Sequence, residues 1–184
     1  EGLKWIARGA FNGTSIESIE MTSTVEKIER FVFYDCKNLR TVTLNEGLES
    51  IGRGAFSGTS IKKITIPSSV TYIGTSFGDA KIEVVDWNTK YEARENCLIE
   101  KATNKIISGG KYSLIPNGVK EIGDSAFEGT SVKAITIPNT VEKIERNAFK
   151  DCKELKSVTL NEGLKELGDA VFSGTSIESV TIPS

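Results

Sequence analysis

Apolar residues recur along this chain in one fixed short text. It reads I/L-x-x-I/V-x-I/L, then a turn that often contains proline, then V/L-x-x-I, then a small residue and phenylalanine. The text is clearest at Ile61, Ile64 and Ile66, then Val70 and Ile73, then Phe77. It returns at Val132, Ile135 and Ile137, then Val141 and Ile144, then Ala148 and Phe149. The closing phenylalanines are Phe11, Phe33, Phe56, Phe77, Phe127, Phe149 and Phe172, spaced 22, 23, 21, 50, 22 and 23 residues apart. On a larger scale, residues 13–56 come back nearly unchanged 116 positions later, at 129–172. Such a chain stacks one supersecondary unit. Each turn points its apolar side chains inward, and only the turns above and below can cover them.

The period-2 part of the unit is rich in Ile, Val and Thr, which fit a pleated, half-buried surface, so it predicts a short strand. Pro67, Pro138 and Pro183 follow such strands directly and stop them, because proline cannot donate to a sheet ladder. Ile64, Ile135 and Val158 are expected to point inward. The V-x-x-I pair has 3₁₀ or helical spacing but is too short for a full helix, so irregular or 3₁₀ structure is expected there. The seven phenylalanines share one repeat position and predict a single buried column. The gap from Phe77 to Phe127 interrupts the array. Within it, Cys97-Leu98-Ile99, a polar turn around Thr103-Asn104, and Ile106-Ile107 read as a β-hairpin.

The motif I-T-I-P-x-x-V-x-x-I-G/E-x-x-A-F, followed by x-x-C or x-G-T, resembles the BspA-type leucine-rich repeats of bacterial surface proteins, also found in some protists. The resemblance covers essentially the whole chain. It implies a leucine-rich-repeat solenoid, with a parallel β-sheet on the concave face and short 3₁₀ or irregular segments on the convex face. Inserted hairpins occur in this family, which accommodates the interruption at 88–112 within a single array over 1–184. The resemblance also implies an extracellular or cell-surface location. Both ends of the chain fall inside a repeat unit, so the array is expected to be part of a longer protein.

Composition narrows the function. The 184 residues include 23 basic and 25 acidic ones and no histidine, for a formal charge of −2. Nucleic-acid binding needs a concentrated basic footprint, and none is present. No run reaches the ~18–20 apolar residues of a membrane-spanning helix. The lack of histidine removes Ser–His–Asp and Cys–His catalysis. No C-x-x-C pair, phosphate-binding loop or dinucleotide fingerprint occurs. The expectation is a non-enzyme with no catalytic residue, no metal and no cofactor. Acidic pairs such as Glu26 with Glu29, and Glu142 with Glu145, interleave with Lys27, Arg30, Lys143 and Arg146 as a solvated, charge-mixed face. Cys36 and Cys152 share a repeat position five turns apart. At ~4.8 Å per stacked strand they lie about 24 Å apart, beyond disulfide reach, so they are expected to be free buried thiols.

What remains is surface. The outward positions of successive strands read Ser18/Glu20, Thr41/Thr43, Lys63/Thr65, Val84/Asp86, Ala134/Thr136, Ser157/Thr159 and Ser179/Thr181. Solenoids bind along extended concave faces. The expected ligand-binding face is therefore Glu20, Thr41, Thr43, Lys63, Thr65, Asp86, Thr136 and Thr159, recognising a macromolecule, protein or glycan, as a monomer. Glu20, Lys63 and Asp86 depart from the threonine-rich pattern in the N-terminal half and place specificity there. A structural stalk that presents other domains is the alternative. Two aromatics break the repeat rule at a polar position, Trp5 and Tyr72. Trp5 reads as a partner anchor or as a residue covered by a preceding repeat. Trp87 aligns with Ile66 and Ile137 and is expected in the core.

Overall fold

The computed structural model describes residues 2–74 and 76–182. Sixteen short strands and no helix occur among them. The first eight strands are β1 (Trp5–Ile6), β2 (Ser18–Glu20), β3 (Lys27–Ile28), β4 (Thr41–Thr43), β5 (Ser50–Ile51), β6 (Lys63–Ile66), β7 (Tyr72–Ile73) and β8 (Lys81–Val84). Next come β9 (Tyr91–Arg94), β10 (Cys97–Glu100), β11 (Lys105–Ser108) and β12 (Glu121–Ile122). The last four are β13 (Ala134–Thr136), β14 (Lys143–Ile144), β15 (Ser157–Thr159) and β16 (Glu166–Leu167).

Each repeat contributes two strands, not one. The period-2 segments pair in parallel as β2-β4-β6-β8, and after the interruption as β13-β15. The V-x-x-I segments form a second parallel column, β1-β3-β5-β7, continued by β12-β14-β16. The expected 3₁₀ structure is replaced by two-residue strands. The reason lies in where the N–H groups go. Glu26 and Glu29 donate to Lys4 and Ile6 of the turn before, and Glu49 and Gly52 donate to Glu26 and Ile28. With those donors committed between turns, no local i→i+3 ladder forms. Val25 and Ile28 both reach the core because a corner at Ser23-Thr24 precedes them. A third ladder runs along the phenylalanine segments: Phe11 N–H donates to Val32 O at 2.9 Å, Phe33 to Ala55 at 2.8 Å and Phe149 to Val171 at 3.0 Å.

Ile64, Ile135 and Val158 point inward as expected, 1 %, 4 % and 8 % exposed. The phenylalanines stack, but in two runs. Phe11, Phe33, Phe56 and Phe77 follow one another at centroid separations of 5.3, 5.3 and 5.9 Å. Phe127, Phe149 and Phe172 follow at 4.9 and 5.7 Å. Phe11 and Phe172, at the ends, are only partly buried. Between the runs, Gly109 occupies the phenylalanine position of the ladder, its N–H donating to Ala126 O at 2.9 Å. A Cβ on Gly109 would lie 2.2 Å from the Phe127 ring, so the ring packs directly on bare backbone.

The interruption is an antiparallel meander, β9-β10-β11, whose last strand joins the second column by pairing in parallel with β12. The expected hairpin is its β10-β11 part. The β9-β10 connection is a two-residue turn, Glu95-Asn96, with φ of 47° and 59°, the left-handed pair that a tight hairpin of matching twist requires. Residues β10 buries on its two faces serve two different cores. Leu98 packs into the N-terminal cluster, and Cys97 and Ile99 into the C-terminal one. Trp87 is not in the core: it is 69 % exposed. The segment from Phe77 to its strand is shorter than the one from Phe56, so Ile66 pairs with Val84, and Trp87 falls in the turn beyond. Asn88 is buried there instead, donating to Pro67 O at 2.7 Å and accepting from the N–H groups of Lys90 and Tyr91.

Cys36, Cys97 and Cys152 are free and fully buried. Cys36 and Cys152 make the same bond in their two turns, from Sγ to the carbonyls of Phe11 and Phe127 at 2.9 Å each. Burial pushes the Cys97 thiol up to about 12 and shifts Cys152 in the same direction.

Two outcomes follow from this packing. Phe149→Ala should cost about 3–5 kcal/mol in a denaturant titration, whereas Phe11→Ala, at a half-covered end, should cost clearly less. Equal losses would contradict burial between neighbouring turns. Separately, the folded state holds the Cys97 thiol neutral, while the unfolded chain ionises it near ~8.5. The folded-state pKa is the raised one. Its stabilisation is therefore complete below about pH 8.5 and is lost as pH climbs toward 12. The unfolding midpoint should fall across that window, and Cys97→Ala should flatten the fall, whatever its cost at neutral pH. An unchanged slope would show that the thiol is not held neutral.

Candidate functional site

The threonine-bearing sheet positions its outward side chains by register. Ser18 pairs with Thr41 and Glu20 with Thr43, and Thr41 pairs in turn with Lys63. Lys63 then pairs with Lys81 and Thr65 with Glu83. The intervening residues Val42, Ile64 and Ile82 are buried, so alternate positions are forced outward. Thr41, Thr43, Lys63 and Thr65 come together around a shallow depression of about 500 Å³, rimmed by Arg40 and Lys62. Glu20 lies on the same sheet, exposed, beside Thr43 in register but not on the rim.

Asp86 does not belong to this face. It lies beyond β8, in the exposed turn that also holds Trp87. The outward pair on the fourth strand is Lys81/Glu83, not Val84/Asp86. The three-residue slip comes from reading Ile82, Val85 and Trp87 as the triplet; the strict alternation of Lys81-Ile82-Glu83-Val84 is the signal for the correct register. Thr136 and Thr159 pair with one another, but on the separate sheet β13-β15. The expected continuous face is therefore two faces, parted by the meander.

Ion pairs at the surface link the fourth strand to the third, whose backbones are already paired in parallel. Glu83 accepts from Lys63 at 2.8 Å and from Lys81 at 3.0 Å. The Lys63 ammonium, with that of Lys81, holds the Glu83 carboxyl below the usual carboxylate range. Lys63 thus reaches across to β8, with more than half its side chain still exposed.

The second column divides in the same way. In the C-terminal half its outward residues alternate in sign. Lys143 lies 2.9 Å from Glu166 and 4.0 Å from Glu121, and Lys105 lies 3.6 Å from Glu121 and 2.7 Å from Glu145. The Glu166 carboxylate raises the Lys143 pKa. In the N-terminal half the matching positions are Trp5, Lys27, Ser50 and Tyr72. Trp5 and Tyr72 are 62 % and 55 % exposed.

A second recess, of about 1180 Å³, runs along the phenylalanine-bearing side. Its N-terminal end is lined by Arg8, Arg30, Phe31, Tyr34 and Arg53, and its far end by Glu128, Asp151, Lys153 and Glu154. It is the larger of the two hollows, on the side opposite in kind to the one where binding was expected. Among the described residues, no group of three or more His, Cys, Asp or Glu could hold a metal ion.

Residues 2–107 and 110–184 match the sequence model of the BspA type leucine rich repeat region, in 6 copies. The chain belongs to this family. Its fold is shared with solved bacterial structures. The pneumococcal vaccine antigen PcpA superposes with a TM-score of 0.81 at 23 % identity, over 98 % of this chain and 54 % of that one. A leucine rich cell surface protein from Faecalibacterium prausnitzii gives 0.78 at 26 % identity, over 98 % of this chain and 57 % of that one. A leucine-rich repeat protein from Eubacterium ventriosum gives 0.75 at 24 % identity, over 97 % and 57 %. The chain thus spans little more than half the length of these proteins. Among the curated proteins none matches it significantly.

Proposed function

We propose that this BspA-type array is a non-catalytic binding module of a bacterial surface or secreted protein, and that it engages a macromolecule through the β2-β4-β6-β8 sheet. The observation that carries the reading is the register of that sheet. The strands' apolar residues Val42, Ile64 and Ile82 are consumed by the core, and the outward Thr41, Thr43, Lys63 and Thr65 stay exposed. A spacer needs only good strand formers there, and threonine is one. Lys63, Lys81 and Glu83 are not, yet they are placed side by side and ordered by ion pairs. The matching strands of the C-terminal half carry Ala134, Ser157, Thr136 and Thr159 instead. Specificity therefore belongs to the N-terminal half. The relationship to a cell surface protein of the same fold supports an extracellular setting.

The experiment is a screen of the purified array against immobilised host matrix proteins and glycans. It is repeated with Lys63→Glu and with Thr43→Lys. Both positions are exposed, and an exposed ion pair is worth only about 0–1 kcal/mol, so the melting temperature should barely move. The expected result is one dominant ligand whose binding Lys63→Glu weakens about tenfold. A ligand whose affinity ignores both substitutions removes this sheet as the recognition surface, and no ligand at all assigns the array to the stalk role.

A further inference from the structure

Arg8, Arg30 and Arg53 occupy one repeat position in three consecutive turns, each two residues after a buried isoleucine: Ile6, Ile28 and Ile51. The backbone holds them in register. Gly9 N–H donates to Arg30 O at 3.1 Å, and Phe31 N–H to Arg53 O at 3.0 Å. Three like charges stacked at the ~4.8 Å strand spacing repel one another. The C-terminal half avoids this. There the same position reads Asp124, Arg146 and Asp169, and Arg146 Nε donates to Asp124 Oδ2 at 2.9 Å. In the N-terminal half, Arg53 reaches Asp124 at 3.8 Å, and the Arg8 guanidinium lies 5.8 Å over the Phe31 ring. No ion pair reaches Arg8 or Arg30 among the described residues.

Phe31 is the second observation, independent of charge. The residue after each of these positions is left-handed in every turn where it is described. Gly9, Gly54, Ser125, Asn147 and Ala170 take φ of 66°, 65°, 58°, 57° and 52°. Phe31 takes 59°, and a bulky side chain meets a steric cost there that glycine does not. The ring is not hidden in exchange. It is half-buried outside the core, resting on the bare Cα of Gly54, where a Cβ would come within 2.7 Å. It meets Tyr34 edge-on at 5.7 Å, and Tyr34 is itself 44 % exposed. Strain kept at a surface position, beside unpaired arginines, marks a site rather than a packing solution.

We propose that this end of the recess binds an acidic glycan, a polysaccharide carrying carboxylate or sulfate groups on successive sugars. Arg8, Arg30 and Arg53 take the anions, and Tyr34 with the edge of Phe31 lies against sugar faces. Arginine matches planar oxyanions with paired donors. Tyr34 and Phe31, exposed and half-buried beside the arginines, favour sugar over an acidic peptide: a pyranose offers an apolar C–H face to an aromatic ring, and a run of carboxylate side chains does not. At the far end Glu128 and Asp151 pair with Lys150 and Glu154 with Lys133, so the arginine end is where unpaired positive charge gathers. This site lies on a different face from the threonine sheet and stands or falls separately.

The test titrates the whole array with a heparin-derived oligosaccharide at low and high salt. Polyglutamate of equal charge and inorganic sulfate serve as comparisons. Arg30→Ala should weaken oligosaccharide binding about tenfold at low salt, and the Arg8/Arg30/Arg53 triple alanine variant should abolish it. Phe31→Gly should weaken binding while holding or raising the melting temperature, because glycine relieves the left-handed backbone. Asp124→Asn, which frees Arg53, should tighten it. Arg146→Ala, which leaves the Asp124 carboxylate to Arg53 alone, should weaken binding less than Arg30→Ala does, and Lys63→Glu, on the other face, should change nothing. Equal or tighter binding of polyglutamate overturns the proposal in favour of an acidic peptide. Concentration-dependent dimerisation abolished by Arg30→Ala overturns it in favour of a second copy, basic half against acidic half. Undiminished binding by the triple variant removes the site.

Discussion

No turn of this molecule can complete itself. Its inward side chains are covered only by the turns on either side, and its backbone donors find acceptors only there. Every other feature depends on that dependence. Because the inter-turn bonds run along three ladders, register is fixed on three sides at once. Because register is fixed, whatever occupies an outward position forms a row. A row of threonines, a row of alternating charges and a row of arginines are then three uses of one constraint. The same bonds decide the local backbone: N–H groups committed to a neighbouring turn are not free to close a 3₁₀ turn, so even a helix-spaced pair is drawn out into a strand.

The meander shows how such a stack absorbs foreign text. It does not hang from the side. β10 is inserted across the stack as a wall, Leu98 facing one core and Cys97 with Ile99 facing the other. β11 then restarts the parallel column. Where the borrowed segment lacks a phenylalanine, Gly109 lets the Phe127 ring settle on the main chain. The ring run breaks, but the hydrogen-bond ladder beneath it does not.

The repeat made most of the fold readable. Ile64, Ile135, Val158 and the paired Cys36 and Cys152 were placed correctly because periodicity alone says which residues a turn must hide. Errors gathered where the period changes. A shortened connection after Phe77 moves the register of β8 by three residues, which put Trp87 in the core and Asp86 on the sheet when neither is there. The single phenylalanine column failed at the same place. The second strand column was missed because V-x-x-I has helical spacing, and the competing inter-turn bonds are invisible in one repeat. The arginine row is in plain sight at Arg8, Arg30 and Arg53, but Arg30 alone entered the reading, as part of a charge-mixed face. Only the partners, absent for Arg30 and present for Arg146, separate the two. Phe31 is a bulky residue at a repeat position otherwise held by Gly9, Gly54, Ser125, Asn147 and Ala170, but only its backbone angle shows what that substitution costs.

The two-sided burial of β10 has a mechanical meaning. The bonds between turns run along the stack, so tension applied along that axis loads one interface at a time and peels the array from an end. Each turn of about 22 residues releases roughly 75 Å of chain. The end turns, with half-covered rings, yield first. The peeling front then meets β10, which cannot leave one core without opening the other. A chain pulled along this axis would lengthen in short steps from its outer turns and stall at its middle.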